Sequence, residues 1–577
     1  MTRLFLQVKL LNSVFVFIIF LAIPLIGNEQ LLIANNNEWK ALLHISNDDN
    51  TSEITDVNFF ASNVNNNPLL EMQTLLNNIS ADNICKYPLR YKFLSKKFNL
   101  QISFEHCQEL QNYLNESQGD SLSLLFASSS LDSPASYFGH IFLKINKQNN
   151  LFFSKTIGYG AEFPNNINPL KLIYGGMTNN LKGKYIINNF YELLEQYSNI
   201  EQRSLYEYSL LATKDSIENI LLHYYELKDI NVNYKFFSEN CAYQIAWFLE
   251  VSNIKLIDQL NIVVKPVDFF EIIEENNLAT SKTSYLPLSE KLFNKYKMLT
   301  YNEKLFYKNL LDSEEKIKII ENIQNQSDRQ KMSYLLHGYY ELLFKKDHLI
   351  KGDHQKIYDL AFKPYEDVKS EKNFISRPSY GFSIGIQNVN HKHYNTMGVE
   401  PTSFNKLYDR NSLLNESSLD ILKFGIISRA SNYKVDYIDI VSIENFGKDM
   451  PFYNAKTWNL YFELKRKNFD TNIKSYLGAG NGLTFGTENT YIAFLLNFEM
   501  YLDVQKLDLK PNINGGYWFD KSKIQFELKN NVFFNDDSYI LKNFNLQYVY
   551  KPNKHYGFLL MHDLYQDTTN CSFSLKF

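Results

Sequence analysis

From Tyr380 to the last residue, Phe577, apolar and polar side chains alternate with a period of two. Trp458, Leu460, Phe462 and Leu464 alternate with Asn459, Tyr461, Glu463 and Lys465, and Ile524, Phe526 and Leu528 with Gln525, Glu527 and Lys529. Phe544, Leu546, Tyr548 and Tyr550 repeat the pattern, as do Phe573, Leu575 and Phe577. Successive side chains of a strand point to opposite faces, so this period specifies strands and excludes helix. The segment has room for about twelve runs of roughly ten residues, the length of a membrane-spanning strand. An even number of strands, polar on one face and apolar with aromatic ends on the other, predicts an antiparallel β-barrel. Such a closed sheet satisfies its backbone without water.

A soluble β-sandwich or a lipocalin-like barrel alternates as well. Two features favour the membrane. The alternating segments end in Tyr or Phe, as an interfacial girdle does. The chain also closes on Phe573-Ser-Leu-Lys-Phe577, which resembles the C-terminal signature of bacterial outer-membrane barrels. At the other end, Leu10 to Gly27 is an almost unbroken apolar run behind Arg3 and Lys9, the pattern of a secretory signal peptide. A retained anchor is the alternative, because the run just reaches the shortest spanning length. Gly27 and Ala34 are the candidate cleavage sites, and residues 1–28 are read as the signal peptide. No second long apolar stretch follows, so no further transmembrane helix is expected.

Between these ends the period changes several times. Trp39, Leu42 and Leu43, then Leu69, Met72, Leu75 and Leu76, are spaced for helix faces, and residues 38–118 read as a helical N-terminal cap. Ser121–Ala127, His140–Asn146 and Leu151–Ile157 are short β-rich runs that suggest a small antiparallel meander. Helical spacing returns at Tyr191–Tyr197, Ile217–Leu227 and Ala242–Val251, which makes residues 119–288 an α+β unit. Residues 289–376 are Lys- and Glu-rich and read as a helical spacer with a solvated face, and the barrel occupies residues 377–577. A length of 577 residues with 45% hydrophobic and 15% aromatic side chains supports several cores. The formal net charge of −4 and the lack of a basic domain offer nothing to nucleic acid.

Export permits disulfides. Cys85 and Cys107 lie close together in the cap and are the expected pair, which leaves Cys241 and Cys571. Cys241 follows Phe236-Phe-Ser-Glu-Asn240 and precedes the apolar helix, so it opens that helix. Unpaired N–H groups and the helix dipole favour a thiolate there. About a hundred residues earlier, a loop of small residues, Ser128 to Gly139, leads into a strand whose first residue is His140. An imidazole near the thiol could take its proton and deliver one to a leaving group. The backbone N–H of Cys241 with Asn240 would supply an oxyanion hole. Read alone, a buried Cys is also an ordinary core residue, and a His before a strand is also a structural one. The histidines form no HExxH and the cysteines no CxxC, so no metal or cofactor is expected.

Several pieces of the first half resemble the Lnb-type periplasmic domain family. They are Trp39-Lys-Ala-Leu-Leu-His44, Phe59-Phe60, Cys85-Lys-Tyr-Pro-Leu-Arg-Tyr91 with Cys107, and Ser136-Tyr-Phe-Gly-His140. Gly175-Gly176, Arg203-Ser-Leu-Tyr-Glu-Tyr208 and Asn240-Cys-Ala-Tyr243 complete the set, and family members with a C-terminal barrel extend the likeness. That family is similar to circularly permuted papain-like enzymes, relatives of the NlpC/P60 peptidases and of lecithin:retinol acyltransferase-like proteins, in which the His also precedes the Cys.

The resemblance implies Cys241 as nucleophile and His140 as base, with Ser154 or Tyr159 as possible third residues. Tyr137, Phe138 and Arg203 would touch substrate, although Arg203 and Arg90 also suit ion pairs within the fold. It further implies an enzyme domain in the periplasm, held by an outer-membrane barrel. That enzyme would move or hydrolyse an acyl group from a membrane lipid, with lipoprotein N-acylation as one form. A peptidoglycan peptidase or amidase, or a non-catalytic binding protein, are the alternatives.

Overall fold

The computed structural model describes residues 29–46, 49–130, 139–148, 150–162, 181–235, 238–260, 264–345, 380–404, 406–407, 414–453, 455–530, 543–553 and 555–576. The signal-peptide reading therefore lies outside the described residues. Two units divide the chain: one runs as far as Tyr285, and the other holds Leu286–Phe577 together with Ser198–Arg203.

The first unit begins with the cap helices α1 (Asn37–Leu42), α2 (Pro68–Asn77), α3 (Ala81–Lys86), α4 (Pro88–Phe98) and α5 (Gln108–Ser117). Local chemistry sets their starts. Asn36 accepts a hydrogen bond from the Glu38 amide, and Asn67 accepts one from the Leu70 amide ahead of a proline at the first helical position. Asn99, in the left-handed conformation at φ 52°, ends α4. The expected disulfide is present: Cys85 and Cys107, with Cα atoms 5.4 Å apart, tie α3 to the start of α5.

After the cap comes an antiparallel sheet of β1 (Ser121–Ala127), β2 (His140–Asn146), β3 (Lys155–Ala161), β4 (Leu181–Asn189), β5 (Leu205–Leu210), β6 (Val232–Tyr234) and β7 (Ala279–Tyr285). Their spatial order is β6-β4-β3-β2-β1-β5-β7. Among them run α6 (Phe190–Leu194), α7 (Lys214–Leu227), α8 (Cys241–Glu250) and α9 (Pro266–Glu275). The third strand starts later than the sequence pattern suggests. Leu151–Phe153 is a 3-10 turn, and the strand begins at Lys155, because the buried Ser154 hydroxyl accepts the Lys147 amide and closes the β2–β3 connection there.

In the second unit, α10 (Leu288–Lys297), α11 (Tyr301–Asp312), α12 (Lys316–Glu321) and α13 (Gln326–Lys345) are more than a solvated spacer. Leu292, Tyr307, Leu310, Leu335 and Leu336 build a core, and Leu414, Met450 and Phe452 from the barrel complete it. The helices are thus packed onto the rim of the sheet that follows.

That sheet is β8 (Gly381–Val389), β9 (Lys392–Glu400), the short β10 (Thr402–Phe404), β11 (Asn415–Arg429), β12 (Asn432–Gly447), β13 (Thr457–Arg466), β14 (Ile473–Gly486), β15 (Thr490–Tyr501), β16 (Lys506–Phe519), β17 (Ser522–Lys529), β18 (Asn543–Tyr550), β19 (Tyr556–Asp563) and β20 (Thr568–Lys576). β20 pairs with β8, and β9 pairs with β11, so twelve strands close into a barrel with β10 as an addition to β11. The pattern is inside out. On β15, Phe494, Leu496 and Phe498 are 43–56% exposed, whereas Asn497 and Glu499 between and beside them are at most 3% exposed. Tyr517, Phe519, Tyr548, Tyr550, Tyr556 and Phe558 stand exposed toward one rim, the aromatic girdle expected of a membrane barrel. Among the described residues no helix is long and apolar enough to cross a membrane.

Candidate functional site

Cys241 is the first residue of α8, as its sequence context predicts. The helix Cys-Ala-Tyr-Gln-Ile-Ala-Trp-Phe-Leu-Glu is apolar on nearly every side, and it packs against β2 and β3. Burial of Trp247, Phe248 and Leu249 holds it there, at about 1.5–3 kcal/mol for each side chain. Asn240 fixes its start. The Asn240 side-chain oxygen accepts from the Ala242 amide at 3.0 Å and the Tyr243 amide at 3.4 Å, while its Nδ2 donates to the Val264 carbonyl. The amide of Asn240 is therefore engaged as a helix cap on one side and as a tie to Val264 on the other. Cys241 is 3% exposed and in no disulfide; Cys571, also outside any disulfide, is exposed on the barrel. Burial pushes the phenols of Tyr159 and Tyr234 above their usual range, and Cys241 is among the groups whose charge adds to both.

His140 opens β2, and the Gly-His pair has a structural reason. Gly139 has φ +79°, and a Cβ there would lie 2.4 Å from the Phe126 ring, so only glycine fits before the histidine. The His140 ring centroid lies 4.4 Å from that of Phe142 and 6.3 Å from that of Tyr197. Gly158 leaves room beside it: a Cβ at Gly158 would be 3.9 Å from His140 Nε2 and would strike the Phe142 ring.

Strand alternation assigns these groups to faces. His140, Phe142 and Gly158 share one face of the sheet. Tyr159 and Tyr185 share the other, where the Tyr185 hydroxyl donates to Gln244 of α8 at 2.5 Å. His140 and Cys241 thus belong to adjacent elements, and His140 is the rim residue of its strand, so a contact between them would pass around the rim of the sheet.

The remaining sequence candidates divide clearly. Ser154 precedes β3, and His140 lies opposite the far end of that strand, about 20 Å along it, so Ser154 does not orient the imidazole. The Tyr159 hydroxyl donates to the Val232 and Asn233 carbonyls at 3.2 and 3.0 Å. Arg203 makes an ion pair with Glu201 at 2.7 Å. Arg90, wholly buried, pairs with Glu71 at 2.8 Å and with Glu226 of α7 at 3.1 Å, joining cap to core. Tyr137, Phe138 and Gly175-Gly176 lie outside the described residues. His106 stands beside Cys85 and Cys107, but a disulfide offers a metal no thiolate.

The structure also brings together residues to which the sequence assigned no role. Glu53 of the cap accepts from the Tyr243 hydroxyl and from Trp247 Nε1, both on α8, and burial pushes its carboxyl up to about 7. His44 of the cap stacks on Trp247, and its Nε2 is 2.9 Å from Nε2 of His223 in α7. Lys144, on the His140 face, pairs with the buried Glu207 at 2.9 Å.

Three family models match the chain. Residues 109–276 match the Lnb N-terminal periplasmic domain, and residues 31–97 and 376–573 match two domains of unknown function. No curated protein matches. Among solved structures, the KdgM porin is similar at 12% identity, covering 34% of this chain and 99% of its own, with a TM-score of 0.22. A double mutant of the Rh. blastica porin is similar at 8% identity, covering 35% of this chain and 100% of its own, with a TM-score of 0.17. Both the Gly-His and the Asn-Cys elements fall inside the Lnb match, and the inside-out sheet falls inside the third. Residues 109–276 therefore match an Lnb N-terminal periplasmic domain, and the chain is an outer-membrane protein built on a closed twelve-stranded β-barrel.

Proposed function

We propose that the periplasmic domain is a Cys–His enzyme that transfers or hydrolyses an acyl group through a thioester at Cys241. The observation that carries the reading is a thiol at the capped start of a buried helix, packed on the strand that His140 opens. His140 takes the thiol proton, and the thiolate attacks the carbonyl of a lipid ester. The carbon–oxygen bond then breaks, the leaving alcohol receives the proton from the imidazolium, and Cys241 holds the acyl group as a thioester. Attack by an amine, a hydroxyl or water releases it and restores the thiol. N-acylation of a lipoprotein is the form in which the acceptor is an amine. A barrel in the same chain keeps a bilayer within reach, which raises the effective concentration of lipid donors.

The test is intact-mass spectrometry of the full chain in phospholipid, in a Cys571→Ser background that removes the second free thiol. An acyl-sized, hydroxylamine-labile adduct is expected, and it should vanish in Cys241→Ser and fall sharply in His140→Ala. No adduct and no lysolipid would overturn the lipid reading, and cleavage of peptidoglycan peptides instead would establish a peptidase. A non-catalytic binding domain is the second reading. It draws on the His140 ring, which faces Phe142 and Tyr197 rather than the face that carries α8.

A further inference from the structure

Strand number alone does not decide whether this barrel conducts. Eight strands leave an interior just filled by side chains, and sixteen leave an aqueous channel; twelve lie between. The side chains inside decide. In the ring order β11 and β17 are six strands apart whichever way one counts, so they stand opposite each other. Yet Glu416 of β11 and Lys523 of β17 meet at 3.1 Å. An ion pair between opposite walls leaves no passage between them at that level.

The layer around this pair is filled. The other Glu416 oxygen is 3.5 Å from Lys448 Nζ, and the Trp518 indole N–H donates to the same carboxylate at 3.0 Å. Lys448 also donates to the Thr487 carbonyl at 2.9 Å, and Lys523 to the Lys406 carbonyl at 2.7 Å. The Tyr491 ring lies under the Lys523 ammonium at 4.9 Å, and its hydroxyl donates to Asn514 and Gln525. The side chains of Glu416, Lys448 and Lys523 are at most 1% exposed, so no water-sized space runs beside the three charges. Glu416 and Lys523 lie near the start of their strands, and Lys448 and Trp518 near the end of theirs, which sets the layer at the rim that also carries Leu414, Met450 and Phe452 under the helices.

We propose that this layer seals the lumen, and that the barrel is a closed membrane anchor for the periplasmic domain rather than a diffusion pore. The inference stands apart from the acyl-transfer reading, since it concerns the second unit alone.

The experiment is single-channel recording of the full-length protein in planar bilayers in potassium chloride, with heat-modifiable migration as the check on folding. The wild type is expected to show no conductance steps. The triple variant Glu416→Ala, Lys448→Ala, Lys523→Ala, which empties the layer without leaving an unpaired charge among the three, is expected to show discrete open steps. Trp518→Ala keeps all three charges and takes out the largest side chain; it is expected to leak and stands in should the triple variant not insert. Steady open steps in the wild type overturn the proposal. So does silence from a folded variant, because the seal would then lie elsewhere.

Discussion

Buried charge serves different ends in the two units. In the first, Arg90 is held between Glu71 of the cap and Glu226 of α7, with the Phe59 and Tyr87 rings against its guanidinium. In the second, Glu416, Lys448 and Lys523 are as deeply buried, yet they sit where an open barrel would be wet, while Leu496 and Phe498 point outward. The first network pins one folding element onto another within a water-soluble core. The second occupies the polar side of a sheet whose apolar side faces lipid. The same pair chemistry therefore says nothing by itself about solvent; the faces opposite the charges do.

The largest effect that would break this comparison is expected at Arg90. Arg90→Ala leaves two buried carboxylates without their cation, which should cost about 3–5 kcal/mol and loosen the cap from the core. Limited proteolysis between the cap and β1, with barrel heat-modifiability unchanged, is the readout. A variant that resists protease like the wild type would show that the network does not hold the cap. Next comes the lipid face. Leu496→Arg should cost about 2–4 kcal/mol, as a charge on the lipid-facing side of a spanning strand does, and should lower the temperature at which the folded barrel band is lost. If Leu496→Arg is silent, that face is not in lipid.

How much of this was legible beforehand follows from the range of each signal. The barrel was legible because a period of two repeats over every strand, and alternation is local. The cap disulfide was legible because Cys85 and Cys107 lie close together in a chain read as exported, and the helix at Cys241 because an apolar run follows Asn240. Strand β5 and the late start of β3 were not: one depends on pairing with β1 and β7, and the other on the Ser154 hydroxyl closing a turn. At the site, Gly139 and Asn240 are local signals with local causes, a left-handed φ and a helix cap. Glu53, His44 and His223 carry no such mark, because their partners are 179 to 194 residues away in sequence for the His44–His223 and Glu53–Trp247 contacts. Contacts of that range are set by the packing of the cap, which no periodicity records.

The smallest expected effect tests whether those long-range contacts matter. Burial lowers the His44 and His223 imidazoles, with His223 moving from 6.5 to about 3, and the nearby Arg90 charge adds to both. The unfolded chain then binds protons that the folded cap does not, so stability is fully present above pH 6.5 and is lost as pH falls. Each imidazole can contribute a slope of about 1.4 kcal/mol per pH unit below that point. Glu53 and Glu226 run the other way: burial raises each carboxyl from 4.5 to about 7, so their stabilising contribution is present at low pH and is lost between 4.5 and 7 as pH rises. Between pH 6.5 and 4.5 the two carboxyl slopes offset the two imidazoles, and below pH 4.5 both imidazoles act unopposed. Thermal melting of the first unit should therefore hold nearly level to pH 4.5 and decline steeply below it. In Glu53→Gln, which keeps an acceptor for Tyr243 and Trp247 but has no proton to bind, one imidazole is left unopposed and the decline should begin at pH 6.5. A variant profile that overlays the wild type would mean that Glu53 is ionised throughout, and the cap would then rest on Arg90 alone.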